Sequence, residues 1–114
     1  MITIKNFIGG NHIEPLSNKW LEIINPSNGK SYGKLPNSNK QDVELAFVSA
    51  ENAFTKWSMT SIKERSAILQ KIANLIEKNI DVLANAESLD NGKPVSLSKK
   101  IDIPRTAENF RFFS

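Results

Sequence analysis

The sequence runs to 114 residues, 39% hydrophobic and 24% charged, with a formal net charge of +3. That is the composition of an ordinary globular chain with room for one domain and a modest core. It contains no cysteine and a single histidine, His12, which excludes disulfides, thiolate metal sites, a cysteine nucleophile and any chemistry needing paired histidines within this chain.

Acidic and basic residues are interspersed, and no basic cluster is interleaved with aromatics, so no nucleic-acid partner is expected. No apolar run is long enough to predict a membrane span. The opening MITIKNFIGG lacks the apolar region of a signal peptide, so a cytoplasmic location is the expectation.

In chain order, Asn6 to Ile13 reads as a hairpin, with Gly9 and Gly10 supplying the positive φ of its turn. His12 is expected on the exposed face of the second strand. Glu14 to Lys19 reads as a loop. Trp20 to Ile24 is a strand by its aromatic and β-branched content, Asn25-Pro26-Ser27-Asn28-Gly29 a dense turn signal, and Ser31 to Leu35 a second strand ended by Pro36. Ser38-Asn39-Lys40-Gln41 has the spacing of a capping box. A helix is predicted from Lys40 to Lys56, with Val43, Ala46, Phe47, Ala50, Ala53, Phe54 and Trp57 on one stripe. These apolar residues are expected in the core, the alanines allowing close packing on the next helix.

Ser61 to Pro94 is the organising stretch. Ser61 and Glu64 form an S-x-x-E capping box. Leu69, Ile72, Ala73, Ile76, Ile80 and Leu83 follow at helical spacing. Asn79 is expected to break the stretch into two helices of roughly 17 and 11 residues. Gly92 closes the second in the left-handed region and Pro94 forbids continuation. Val95 to Lys100 is ambiguous and could be a short helix. Asp102 is expected to cap a last helix with Pro104 in its first turn. Ala107, Phe110 and Phe113 continue it, and no stop signal follows, so the helix is expected to be cut rather than finished.

Asn6-Phe7-Ile8-x-Gly10, Ile24-Asn25-Pro26 with Gly29, the alanine-rich helix to Ala53-Phe54 and Trp57, Glu64-Arg65, and Leu89-Asp90-Asn91-Gly92-Lys93-Pro94 occur in one order and spacing. Together they resemble the start of the NAD(P)-dependent aldehyde dehydrogenases over essentially the whole chain. Pro36-Asn37-Ser38, Asp102-Ile103-Pro104-Arg105 and Asn109-Phe110-Arg111-Phe112-Phe113 look most like the branch that oxidises muconic semialdehydes.

The resemblance implies an α+β fragment, short N-terminal strands over about 5–35 and amphipathic helices over about 40–114, of a larger α/β fold. The chain would form one N-terminal segment without the catalytic domain. In the family a cysteine attacks the aldehyde, a hydride passes to the nicotinamide, and a glutamate activates water to release the acid. No catalytic or cofactor-binding residue is therefore assigned here, and no glycine-rich phosphate loop is present. NAD or NADP would belong to the full-length enzyme. Its partners would be the remainder of the chain and, in a homo-oligomer, further copies.

The resemblance carries over one site. The backbone carbonyls of Ile23 and Ile24 and the carboxylate of Asp90 would hold a monovalent cation, Na⁺ or K⁺, by oxygen-only ligation. Alternatively Asp90 pairs with a base or caps a backbone group at the helix end. A rival for the whole chain is a stand-alone helical interaction module without activity.

Overall fold

The computed structural model describes all 114 residues and divides them into two units, Met1–Ile24 with Gly29–Met59, and Asn25–Asn28 with Thr60–Ser114. In the first, β1 (Ile2–Thr3), β5 (Lys30–Pro36) and β4 (Trp20–Asn25) form a sheet in the order β1-β5-β4, while β2 (Asn6–Ile8) and β3 (Asn11–Ile13) form a separate antiparallel hairpin. The hairpin turn is the expected one, with Gly9 at φ +59° and Gly10 at +81°. Phe7 stands opposite His12, their ring centroids 5.1 Å apart, and both are exposed.

Strand β1 has no counterpart in the sequence reading. It pairs parallel to β5, Ile2 opposite Gly33, and the Ile4 N–H donates to the Lys34 carbonyl at 2.9 Å. Gly33 permits the approach, since a Cβ there would lie 2.5 Å from Ile2 Cγ1 and 3.3 Å from Ile23 Cδ1. Two residues are too few for an alternation signal.

Helix α1 (Lys40–Ser58) starts at the predicted Lys40, but its capping residue lies one position after Ser38. Asn39 is the cap; its Oδ1 accepts the N–H groups of Gln41 and Asp42, and the Asp42 carboxylate accepts the Asn39 N–H at 2.8 Å. Asparagine and aspartate at this spacing do what Ser38 and Gln41 were expected to do. The Ser38 hydroxyl instead donates to Asn6 Oδ1 at 3.0 Å. The expected core stripe of α1 is also corrected. Phe47, Phe54 and Trp57 are 59%, 64% and 45% exposed, and the one buried residue of the helix is Asp42. Amphipathic spacing predicts a face made to be covered; it does not say that the cover lies within these residues.

In the second unit, α2 (Ile62–Lys78) carries the expected Ser61–Glu64 capping box. Asn79 separates it from α3 (Ile80–Asn91), its side-chain amide donating to the Leu75 carbonyl at 2.8 Å. Leu69, Ile72, Ala73, Ile76 and Ile80 are among the less exposed positions of this stretch, but Leu83, expected on the same stripe, is exposed, and the buried residue of α3 is its neighbour Ala84. After Pro94 the chain winds through a short α4 (Val95–Leu97), a π-helical turn (Ser98–Asp102) and α5 (Ile103–Phe112). Asp102 therefore does not cap α5. Its backbone is already helical at φ −70°, ψ −48°, so no free helix start exists there, and its side chain makes no capping bond. Helix α5 packs along α2, with Ala73, Ile103 and Ala107 buried. Arg111 Nη1 donates to Asn74 Oδ1 at 3.0 Å and Arg111 pairs with Glu77, tying the two helices at their polar rim. No helix is long and apolar enough to cross a membrane.

Candidate functional site

The two turn motifs quoted above meet within the second unit. Asn25 Oδ1 accepts the Ser27 N–H at 2.9 Å, and the Asn28 N–H donates to the Asn25 carbonyl at 3.3 Å, which fixes the Asn-Pro turn. At the end of α3, Gly92 adopts φ +76° and donates its N–H to the Ser88 carbonyl at 3.0 Å. Asn91 Oδ1 accepts the Lys93 N–H at 2.9 Å. A Cβ on Gly92 would sit 3.1 Å from Pro26 Cγ and 3.7 Å from Ser27 Oγ. Glycine is thus needed there for its left-handed backbone and for the approach of the proline ring.

A polar cluster stands behind that turn. Lys93 Nζ lies 2.7 Å from Asp102 Oδ2 and 3.4 Å from Glu87 Oε1, with the lysine side chain 31% exposed. The buried Ser98 hydroxyl donates to Glu87, and Asn91 Nδ2 donates to Glu87 Oε1 at 3.4 Å. The hydrogen bond to Asp102 raises the Lys93 pKa; partial burial opposes it, and the bond to Glu87 adds to it. One ammonium between two carboxylates joins the end of α3 to the π-helical turn. The sequence reading missed this cluster, because residues spaced by 6 and 9 across a proline turn leave no periodic signal.

Of the predicted cation ligands, Ile23 and Ile24 are consecutive in β4, Ile23 buried and Ile24 44% exposed. Asp90 is an exposed residue in the last turn of α3. No group of three or more His, Cys, Asp or Glu side chains able to hold a metal is formed; a site made of two carbonyls and one carboxylate is not of that kind. Gly9 and Gly10 join two strands, so neither opens the helix N-terminus on which a dinucleotide phosphate rests.

Residues 12–114 match the profile of the Aldehyde dehydrogenase family. The chain is 44% identical over all 114 residues to a 2-aminomuconic semialdehyde dehydrogenase of Bos taurus, of which it covers 23%. It is 44% identical over 109 residues, 96% of its own length, to an aldehyde dehydrogenase of Vibrio cholerae, of which it covers 22%. Among solved structures, the NAD⁺ complex of the Bacillus cereus aldehyde dehydrogenase superposes with a TM-score of 0.93 at 33% identity, covering 97% of this chain and 23% of that one. PnpE from Pseudomonas sp. WBC-3 superposes at 0.94 with 32% identity and the same coverage. The chain thus spans under a quarter of the length of these relatives, with the strands-then-helices order of the N-terminal part of their fold, and it belongs to the aldehyde dehydrogenase family.

Proposed function

We propose that this chain serves as the N-terminal segment of an enzyme that oxidises an aldehyde to a carboxylic acid with NAD or NADP. Its 44% identity to a 2-aminomuconic semialdehyde dehydrogenase over every residue carries the reading and favours a muconic semialdehyde as substrate. The nucleophile, the general base and the nucleotide site would lie in the remaining length of the enzyme, since these residues include no cysteine and no phosphate-cradling loop. Residues 1–114 act as one structural segment, and the exposed apolar stripe of α1 suits packing by the rest of that chain. A cytoplasmic homo-oligomer fits the same reading.

The same reading assigns Na⁺ or K⁺ to the carbonyls of Ile23 and Ile24 and the carboxylate of Asp90, an all-oxygen set suited to a hard cation. A stand-alone interaction module is the second reading, and it draws on the same exposed stripe.

A chimera separates the two. The 109 matching residues of the Vibrio cholerae enzyme are replaced by those of this chain, and NADH formation is followed with 2-hydroxymuconic semialdehyde and with acetaldehyde. The enzyme-segment reading expects a soluble protein with aldehyde-dependent turnover close to that of the parent. A folded chimera without turnover would favour the module. In an active chimera, Asp90→Asn should remove any dependence on Na⁺ or K⁺; unchanged cation dependence would remove the cation assignment and leave the rest standing.

A further inference from the structure

We infer that the π-helical turn Ser98–Asp102 is a phase lock: Lys93, held between Glu87 and Asp102, keeps the helical run from Val95 to Phe112 in a wide register that a straight α-helix over the same residues would give up. The turn is marked by the Ile103 N–H, which donates to the Ser98 carbonyl, five residues back. One such turn adds a single residue to an α-helix and shifts its phase by about 100°.

The phase decides which side chain lies beneath Ile103 and Ala107, the buried residues of α5. In a straight α-helix the residues three and four before Ile103 share its face, and those are Lys100 and Lys99. The wide turn brings Ser98 to the inside in their place. Ser98 is fully buried, while Lys99 and Lys100 are exposed, Lys99 reaching Asp81 at 2.5 Å. A lysine turned inward would need a carboxylate partner. The carboxylate that receives the Ser98 hydroxyl is Glu87, and Lys93 already pairs with it at 3.4 Å and with Asp102 at 2.7 Å. A second ammonium there would meet the first, whereas a hydroxyl adds a hydrogen bond without charge. With Lys93 removed, Glu87 and Asp102 would lose their base, and Lys99 or Lys100 would become the partner that a straight helix can supply.

Pro104 offers a local cause for the same turn. It has no N–H for the Lys100 carbonyl, and its ring crowds that carbonyl. A proline alone asks the helix to widen or kink; it does not choose Ser98 over a lysine for the buried position. The two causes therefore separate by substitution.

The test reads the turn by crystallography of the full-length chimera described above, which serves as the folded host. Pro104→Ala should leave the turn in place, with the Ile103 N–H still on the Ser98 carbonyl. Lys93→Met combined with Pro104→Ala should straighten it, with Ser98 turned outward and Lys99 or Lys100 beside Glu87. Loss of the turn in Pro104→Ala alone would assign it to the proline and overturn the inference, and so would a turn that survives the double substitution. Amide hydrogen exchange over residues 95–103 is the second readout. Lys93→Met alone should speed it by roughly tenfold or more, whereas Lys99→Met, which removes an exposed pair, should leave it within about twofold of the parent. Equal acceleration by the two would also overturn the inference. A chimera that does not assemble counts against the enzyme-segment reading alone, and the same variants are then read in the Bos taurus enzyme carrying these 114 residues.

Discussion

The Asp42 carboxylate accepts the backbone N–H of Leu16 at 2.9 Å, across 26 residues of sequence. Its other oxygen accepts the Asn39 N–H at 2.8 Å, so one side chain closes the start of α1 and anchors the loop before β4. With 2% of its surface exposed, it has little water to replace these partners.

Asp42→Ala should therefore lower stability, by about 1–3 kcal/mol for each backbone N–H left buried without an acceptor. Asp42→Asn, which keeps one acceptor oxygen, should cost less than Asp42→Ala. Urea unfolding followed by far-ultraviolet circular dichroism, with variant and parent at one protein concentration, measures this as a lower midpoint. Equal midpoints for Asp42→Ala and the parent would show that the carboxylate anchors nothing.

Gly92→Ala should also destabilise. The φ of +76° costs an alanine roughly 1–2 kcal/mol, and its Cβ would press on the Pro26 ring at 3.1 Å. The loss should exceed that of Gly10→Ala, where φ is +81° but nothing lies within 4 Å. Similar losses for the two would mean that the Asn-Pro turn does not bear on Gly92.

Two groups set a pH dependence with opposite signs. The Ser61 hydroxyl, and then the Ser61 backbone N–H, hold the Glu64 carboxyl below its ordinary value. A depressed carboxylate contributes stability above its unfolded pKa and loses it as the pH falls through the folded one. Lys93 is raised, chiefly by Asp102. Its contribution is full below the unfolded lysine pKa and is lost as the pH rises through the folded value. Ser61→Ala should flatten the acid limb of stability against pH, and Lys93→Gln the alkaline limb. A Lys93→Gln variant with an unchanged alkaline limb would show that the Asp102 pair does not couple to folding.

Much of the second unit was legible in sequence. The stripe from Leu69 to Ile80, the cap at Ser61, the break at Asn79 and the glycine stop at Gly92 are local signals, and local physics decides them. What escaped was tertiary. The register of the α1 cap depends on Asp42 reaching both Asn39 and Leu16. Strand β1 exists because Gly33 leaves room for Ile2. Asp102 looked like a cap because it precedes Pro104, but Lys93 takes its carboxylate and the helix runs through it. Phe47, Phe54 and Trp57 had the spacing of core residues and are exposed. Periodicity identifies a face and leaves its partner open. Of the candidate site, the two turn motifs could be read in advance, but the Glu87–Lys93–Asp102 cluster behind them could not.

As the N-terminal segment of an aldehyde dehydrogenase, this chain would present apolar faces for the rest of such an enzyme to cover. Burying a phenylalanine is worth roughly 1.5–3 kcal/mol. Phe47 and Phe54 on α1 and Phe112 and Phe113 at the end of α5 all stand exposed, and together they match a large part of the roughly 5–15 kcal/mol that holds a small domain folded. The most direct measurement is thermal unfolding of the isolated chain, paired with sedimentation at two concentrations and binding of a dye that reports exposed apolar surface. The account predicts dye binding, self-association that grows with concentration, and a broad transition whose midpoint shifts with it. A monomer with a sharp, concentration-independent transition and no dye binding would contradict it.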